Sequence, residues 1–148
     1  MGPSNPLPDG SLDNLSAFLR RLPLKFESIE PTRVVGSMGL GRDQHTPWGV
    51  VHGGAYTTAI ESAASLGASM AVLDRDQFAV GVNNNTDFLR PLVAGKVLVV
   101  AEPVQQGATQ QLWQVAITRA DDGKLVARGQ VRLQNVPLPG RPAGATQA

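Results

Sequence analysis

One segment stands out in the hydrophobic pattern of the chain. From Gly53 to Leu73 (GGAYTTAIESAASLGASMAVL) apolar and small residues recur on every side, and Glu61 is the single charged residue. Ala55, Ala59, Ser62, Ala63 and Gly67 keep much of the surface small, which lets other backbones approach closely. The segment predicts one long helix over about 53–73. It is long enough to cross a bilayer, but Glu61, two threonines and three serines oppose that. A charge at the membrane centre alone costs roughly 2.5–3.5 kcal/mol on insertion scales. A buried helix of a soluble fold is the better reading, with no membrane partner.

After this helix the pattern turns to β. Four runs follow: FAVGVNNNTDFLRP, GKVLVVAEPVQQ, TQQLWQVAITRA and GKLVARGQVRLQNV. They are broken at Pro91-to-Gly95, at Gly107 and at Asp121-Asp122-Gly123, the last a hairpin signal. Before the helix, Asp13 or Ser11 can cap a short helix in DNLSAFLRRLP that Pro23 ends. One strand is expected near 24–35, then a glycine-rich loop, GSMGLGRDQHTPWG. Strand, long helix and four strands predict an α+β fold, an antiparallel sheet with one helix across it. The domain is expected over residues 13–136, with proline- and glycine-rich mobile tails at 1–12 and 137–148. A helix that is apolar nearly all round needs cover on more than one side. One sheet covers one face, so a second subunit is expected on another: at least a homodimer.

Composition narrows the function classes. Thirteen basic and twelve acidic side chains among 148 residues give a net charge of +1, no footprint for nucleic acid. The chain has no cysteine and only two histidines, His45 and His52, a poor supply for a zinc site, so no metal is expected. The start, MGPSNPLPDGS, lacks the basic and apolar runs of a signal peptide, and a cytoplasmic location is expected. Gly39-Leu40-Gly41 lacks the third glycine and following helix of a nucleotide fingerprint, and neither a G-x-S-x-G elbow nor a Walker A sequence occurs.

Glu61 then has three readings: a solvated glutamate, a buried acid paired with an arginine, or a functional carboxylate. Its surroundings bear on the third. His52-Gly53-Gly54 opens the helix, and glycines there leave bare N–H groups at the positive end of the dipole. Such groups hold a developing oxyanion when an ester or thioester carbonyl is attacked. Glu61 lies eight residues on, roughly 12 Å along the axis. That is too far for both to act on one carbonyl from the same helix. If both act, they come from two subunits packed antiparallel across a two-fold axis.

WGVVHGGAYTTAIESAAS, with the later VNNNTDFLRP and GATQQLWQVAITRADDGKLVARGQVRL stretches, resembles the hotdog-fold acyl-CoA thioesterases. The group is that of PaaI and the Arthrobacter-type 4-hydroxybenzoyl-CoA enzymes, and the bacterial 1,4-dihydroxy-2-naphthoyl-CoA thioesterases are similar in the same way. The resemblance covers roughly 24–136 and implies hydrolysis of an aromatic or medium-chain acyl-CoA to acid and CoA, in a homotetramer, with no cofactor. It implies that Glu61 is the nucleophile or general base and that the Gly53 N–H polarises the thioester carbonyl. It makes His52 a support of that loop and Ser65 an aid in placing water, with Ser62 a second hydroxyl. For CoA it points to Gly81, to Phe88, Leu89, Arg90 and Pro91, and to the turn of Gln105, Gln106, Gly107, Ala108, Thr109 and Gln110. Where many members carry Asn or Gln, this chain has Thr46, which leaves three alternatives: Thr46 does the task through water, Gln44 or His45 compensates, or activity on standard substrates is weak. That departure sustains an alternative, a non-catalytic acyl-CoA-binding or regulatory hotdog module. A hotdog hydratase would need an Asp/His pair that this helix does not supply.

Arg90 can pair with a CoA phosphate or simply end a strand. Asn83-Asn84-Asn85 is unusual in a β run, and two roles stay open: edging the acyl pocket or bonding across an interface. Trp48 and Trp113 are expected to pack rather than stack on a ligand.

Overall fold

The computed structural model describes residues 16–139. The chain forms β1 (Leu24–Glu30), β2 (Arg33–Leu40), α1 (Gly53–Met70), β3 (Gln77–Phe88), β4 (Gly95–Gln106), β5 (Gln110–Arg119) and β6 (Leu125–Pro137). The six strands make one antiparallel sheet in the order β1-β2-β4-β5-β6-β3, and α1 lies across it. This is the α+β hotdog arrangement.

α1 lies on the sheet because its small residues allow it. Ala55, Tyr56, Ala59, Ile60, Ala63, Ala64, Gly67 and Ala68 are buried. A Cβ at Gly67 would stand 2.5 Å from the ring of Trp113, so the missing side chain is what seats that fully buried indole. The opposite side of α1, with Thr57, Thr58, Glu61, Ser62 and Ser65, is half-exposed.

Four expectations are corrected. The single strand near 24–35 is a hairpin of β1 and β2 that turns at Pro31-Thr32, where proline cannot donate to the ladder. Gly36 and Gly39, expected in a loop, belong to β2. A Cβ at Gly36 would lie 2.8 Å from Lys25 O, so glycine lets the two strands close. The helix ends at Met70, and Leu73–Arg75 is a separate 3-10 turn. Trp48 is 85% exposed in the single chain, against the expected packing, whereas Trp113 is fully buried as expected. The Asp121-Asp122-Gly123 turn joins β5 to β6, with Gly123 at φ 70° and Arg119 paired to Asp122 at 2.6 Å. Of the short helix in 13–23, the 3-10 turn Leu19–Arg21 lies within the described residues; the caps Ser11 and Asp13, and most of both expected tails, lie outside them.

Among the described residues, β3 forms one edge of the sheet and pairs only with β6. Its register shifts between Gly81 and Asn83, a β-bulge. A bulge changes which residues face the helix, because side chains alternate with a period of two. Before it Ala79 and Gly81 face α1; after it Asn84 and Thr86 do, beside Val131 and Gly129 of β6.

Candidate active site

The Glu61 carboxylate reaches from α1 to β3. Its Oε2 accepts a hydrogen bond from Asn84 Nδ2 at 3.0 Å. Its Oε1 occupies the space at Gly81 where any Cβ would collide with it. The asparagine is itself fixed: Thr86 Oγ1 donates to Asn84 Oδ1 at 2.7 Å, and Nδ2 lies 3.4 Å from Thr57 O. Of the three readings, pairing with an arginine is not what the structure has; the partner is a neutral amide.

Glu61, Ser62 and Ser65 also line a cavity of about 260 Å³ whose other walls are Leu19, Leu24, Phe26 and Leu66. Ser62 Oγ is committed to Thr58 O at 2.7 Å. The carboxylate therefore borders an almost wholly apolar space.

At the helix start, His52 is the N-cap. Its Nδ1 accepts from the Gly54 N–H at 2.8 Å, and its backbone N–H donates to Gln44 O at 2.8 Å. The Ala55 N–H bonds His52 O, which leaves the Gly53 N–H without an acceptor among the described residues. The Phe88 ring lies over this point, since a Cβ at Gly53 would sit 2.9 Å from its Cζ. Phe88 is 57% exposed, and its centroid is 6.3 Å from that of Tyr56. The Tyr56 hydroxyl is buried without a partner among the described residues, and burial raises its pKa.

Thr46 belongs to a tight turn. Its hydroxyl accepts from the Trp48 N–H at 3.3 Å, and its backbone bonds Val50 O and the Gly49 N–H. Gln44 accepts from the Gly41 N–H at 2.9 Å, and His45 Nε2 donates to Val93 O at 2.6 Å. Both of the expected substitutes thus have local partners.

The expected CoA-binding residues fall into two groups that one chain does not bring together. Leu89 and Arg90 both donate their backbone N–H groups to Val126 O, next to the start of α1; Pro91 is exposed, and Arg90 has no ion pair among the described residues. The Gln105–Gln110 turn lies beyond the other end of α1, held by a buried amide network. Gln111 Nε2 donates to Ala68 O and to Asn135 Oδ1, and Asn135 Nδ2 donates to Gly107 O and Ala108 O. Gly53 and Ala68 are fifteen residues apart, roughly 22 Å along the helix. Gly81, also among the expected CoA residues, sits against the Glu61 carboxylate.

Sequence reasoning did not single out Asn84 from its neighbours, nor Thr86. The depletion of asparagine in strands was the available signal, but the bulge that selects Asn84 has no mark in the sequence. Leu19, Leu24 and Phe26 were missed as pocket walls: Leu19 lies in the first helix, outside the resemblance, and Leu24 and Phe26 on β1 carry no local mark of a pocket.

Known proteins share this architecture. The model of the thioesterase superfamily matches residues 49–126. "Putative esterase Rv1847" of Mycobacterium tuberculosis H37Rv is 42% identical over 136 residues, spanning 90% of this chain and 94% of that protein. Its solved structure superposes with a TM-score of 0.80, covering 86% of this chain and 100% of that one. A thioesterase structure from Haemophilus influenzae gives 0.79 at 27% identity, covering 90% and 92%. The 1,4-dihydroxy-2-naphthoyl-CoA hydrolase of Listeria monocytogenes is 30% identical over 95 residues, 64% of this chain and 76% of that enzyme. The chain belongs to the thioesterase superfamily and is a thioester hydrolase of the hotdog fold.

Proposed function

We propose that the protein hydrolyses an acyl-CoA thioester to free acid and CoA, with Glu61 as the reacting carboxylate. The observation that carries this reading is the setting of Glu61: one oxygen bonded to an amide, the other at a glycine gap, the whole bordering an apolar cavity. As general base, Glu61 takes a proton from water while the water oxygen attacks the thioester carbon. As nucleophile, it forms a mixed anhydride that water then opens. In both routes the carbonyl oxygen gains charge, and collapse of the tetrahedral intermediate expels the CoA thiolate.

The donor for that oxygen is the Gly53 N–H at the positive end of α1, with His52 holding the loop. Because Glu61 is roughly 12 Å along the same helix, the donor comes from the second subunit of a homodimer. The open edge of β3, with exposed Val80 and Val82, supports such a pairing. The same two-fold would bring the Gln105–Gln110 turn of one subunit towards Phe88–Pro91 of the other, so that both groups serve one CoA. Arg90 then meets a phosphate, and dimers pair into a tetramer.

The acyl group enters the cavity. Its volume of about 260 Å³, at roughly 30 Å³ per water-sized group, holds about eight or nine non-hydrogen atoms. That fits a single-ring aromatic or a medium-chain acyl better than a naphthoyl group. In this reading Ser65, on the cavity wall, holds the attacking water. The local commitments of Thr46, Gln44 and His45 favour a second reading, a module that binds acyl-CoA without turnover.

A screen of benzoyl-, octanoyl-, naphthoyl- and acetyl-CoA, following thiol release, tests the proposal. Turnover of benzoyl- or octanoyl-CoA above the other two is the expected result. Binding of all four with no thiol released would establish the second reading.

A further inference from the structure

We infer that Asn84 and Thr86 form a positioning relay that presents Glu61 for reaction through Oε1 alone; this rests on the assignment of Glu61 as the reacting carboxylate. Asn84 Nδ2 donates to Glu61 Oε2 at 3.0 Å. An asparagine amide can flip, and flipped it would set oxygen against oxygen. The Glu61 carboxylate only accepts and so holds the NH₂ end towards itself; Thr86 Oγ1, a hydroxyl able to bond either end, donates to the Oδ1 left on the other side at 2.7 Å and braces the amide there. Thr57 O, 3.4 Å away, stands on the same side and accepts only from NH₂.

The backbone leaves room for each member of the relay. A Cβ at Gly81 would collide with Glu61 Oε1, and a Cβ at Gly129 would stand 2.8 Å from Thr86 Oγ1. Gly129 is the register partner of Thr86 on β6. The bulge between Gly81 and Asn83 supplies the phase: without it Asn83 and Asn85 would face α1. Two glycines, a bulge and two side chains thus converge on a single carboxylate. With Oε2 bonded to Asn84, Oε1, at the Gly81 gap, is the carboxylate oxygen without a hydrogen-bond partner among the described residues.

The relay acts on the chemical step and not on substrate binding. Asn84→Ala is expected to lower kcat about 10- to 100-fold, the cost of a misplaced reacting group, with KM within about twofold of wild type. Asn84→Asp keeps the shape and exchanges the donor for an oxygen, so kcat falls at least as far. Thr86→Val costs about 3- to 10-fold in kcat, the worth of one neutral hydrogen bond. Since Thr86 works through Asn84, adding Thr86→Val to Asn84→Ala lowers kcat no further. Thr86→Ser retains the hydroxyl and restores the rate. Wild-type kcat in folded Asn84→Ala and Asn84→Asp, or a Thr86→Val loss that persists without Asn84, would overturn the relay. Glu61→Gln, run alongside, separates the two ideas: if it is inactive while the Asn84 variants are normal, only the relay fails. If Glu61→Gln is itself active, the site assignment fails.

Discussion

Strands β5 and β3 belong to one sheet but follow different rules. Along β5 burial alternates: Gln111, Trp113, Val115 and Ile117 point inward, and Leu112, Gln114 and Ala116 do not. β5 has a hydrogen-bonded neighbour on each side and a helix over its inner face, so one register satisfies everything. β3 has one neighbour, buries only Ala79 fully, and breaks its alternation at a bulge. An edge strand can afford that irregularity, and here the irregular stretch faces the carboxylate. The central strands determine the fold, while the broken edge strand shapes the site.

This difference can be tested by damaging each side in turn. The largest effect is expected at Glu61: Glu61→Gln removes the carboxylate proposed as nucleophile or base, and kcat should fall about 1,000-fold or more with the circular dichroism spectrum unchanged. Next is Gly81→Ala on the edge strand. Its methyl group occupies the space of Oε1, and a carboxylate displaced by about 1 Å should cost on the order of 100-fold in kcat at little cost in stability. The reverse holds under β5. Gly67→Ala forces a Cβ into the Trp113 ring, so urea unfolding should show a loss of about 1–3 kcal/mol from overpacking, with kcat per folded molecule retained. The smallest effect is at Tyr56, whose buried hydroxyl has no partner among the described residues. Tyr56→Phe should gain about 1 kcal/mol of stability, the desolvation cost of an unmet hydroxyl.

The same contrast explains what the sequence made legible. β4 ran from Gly95 to Gln106 as its apolar pattern indicated, and the Asp121-Asp122-Gly123 turn stood where its residues required. Burial follows pattern where two neighbours enforce it. The 24–35 run misled because β1 and β2 both read as extended and are separated by a two-residue turn that only Pro31 marks. Glu61 was legible as a lone charge in an apolar helix. Its partner was not, since three successive asparagines look alike until the bulge chooses one. The walls from Leu19 and Phe26 depend on how a short 3-10 turn folds back towards α1, which no local pattern encodes.

The central claim is that one thioester is served by Glu61 of one subunit and the Gly53 N–H of another. Gly53→Pro removes that N–H at a helix position where proline is tolerated. Gly53→Ala serves as its control, adding the same crowding against Phe88 while keeping the N–H. Glu61→Gln and Gly53→Pro chains, each nearly inactive alone, are refolded together in equal amounts, and thiol release from an acyl-CoA is measured. Half of the dimers are then mixed, each with one intact and one doubly damaged site, and activity should recover to roughly a quarter of wild type. No recovery, with mixed dimers shown to have formed, would contradict the shared site.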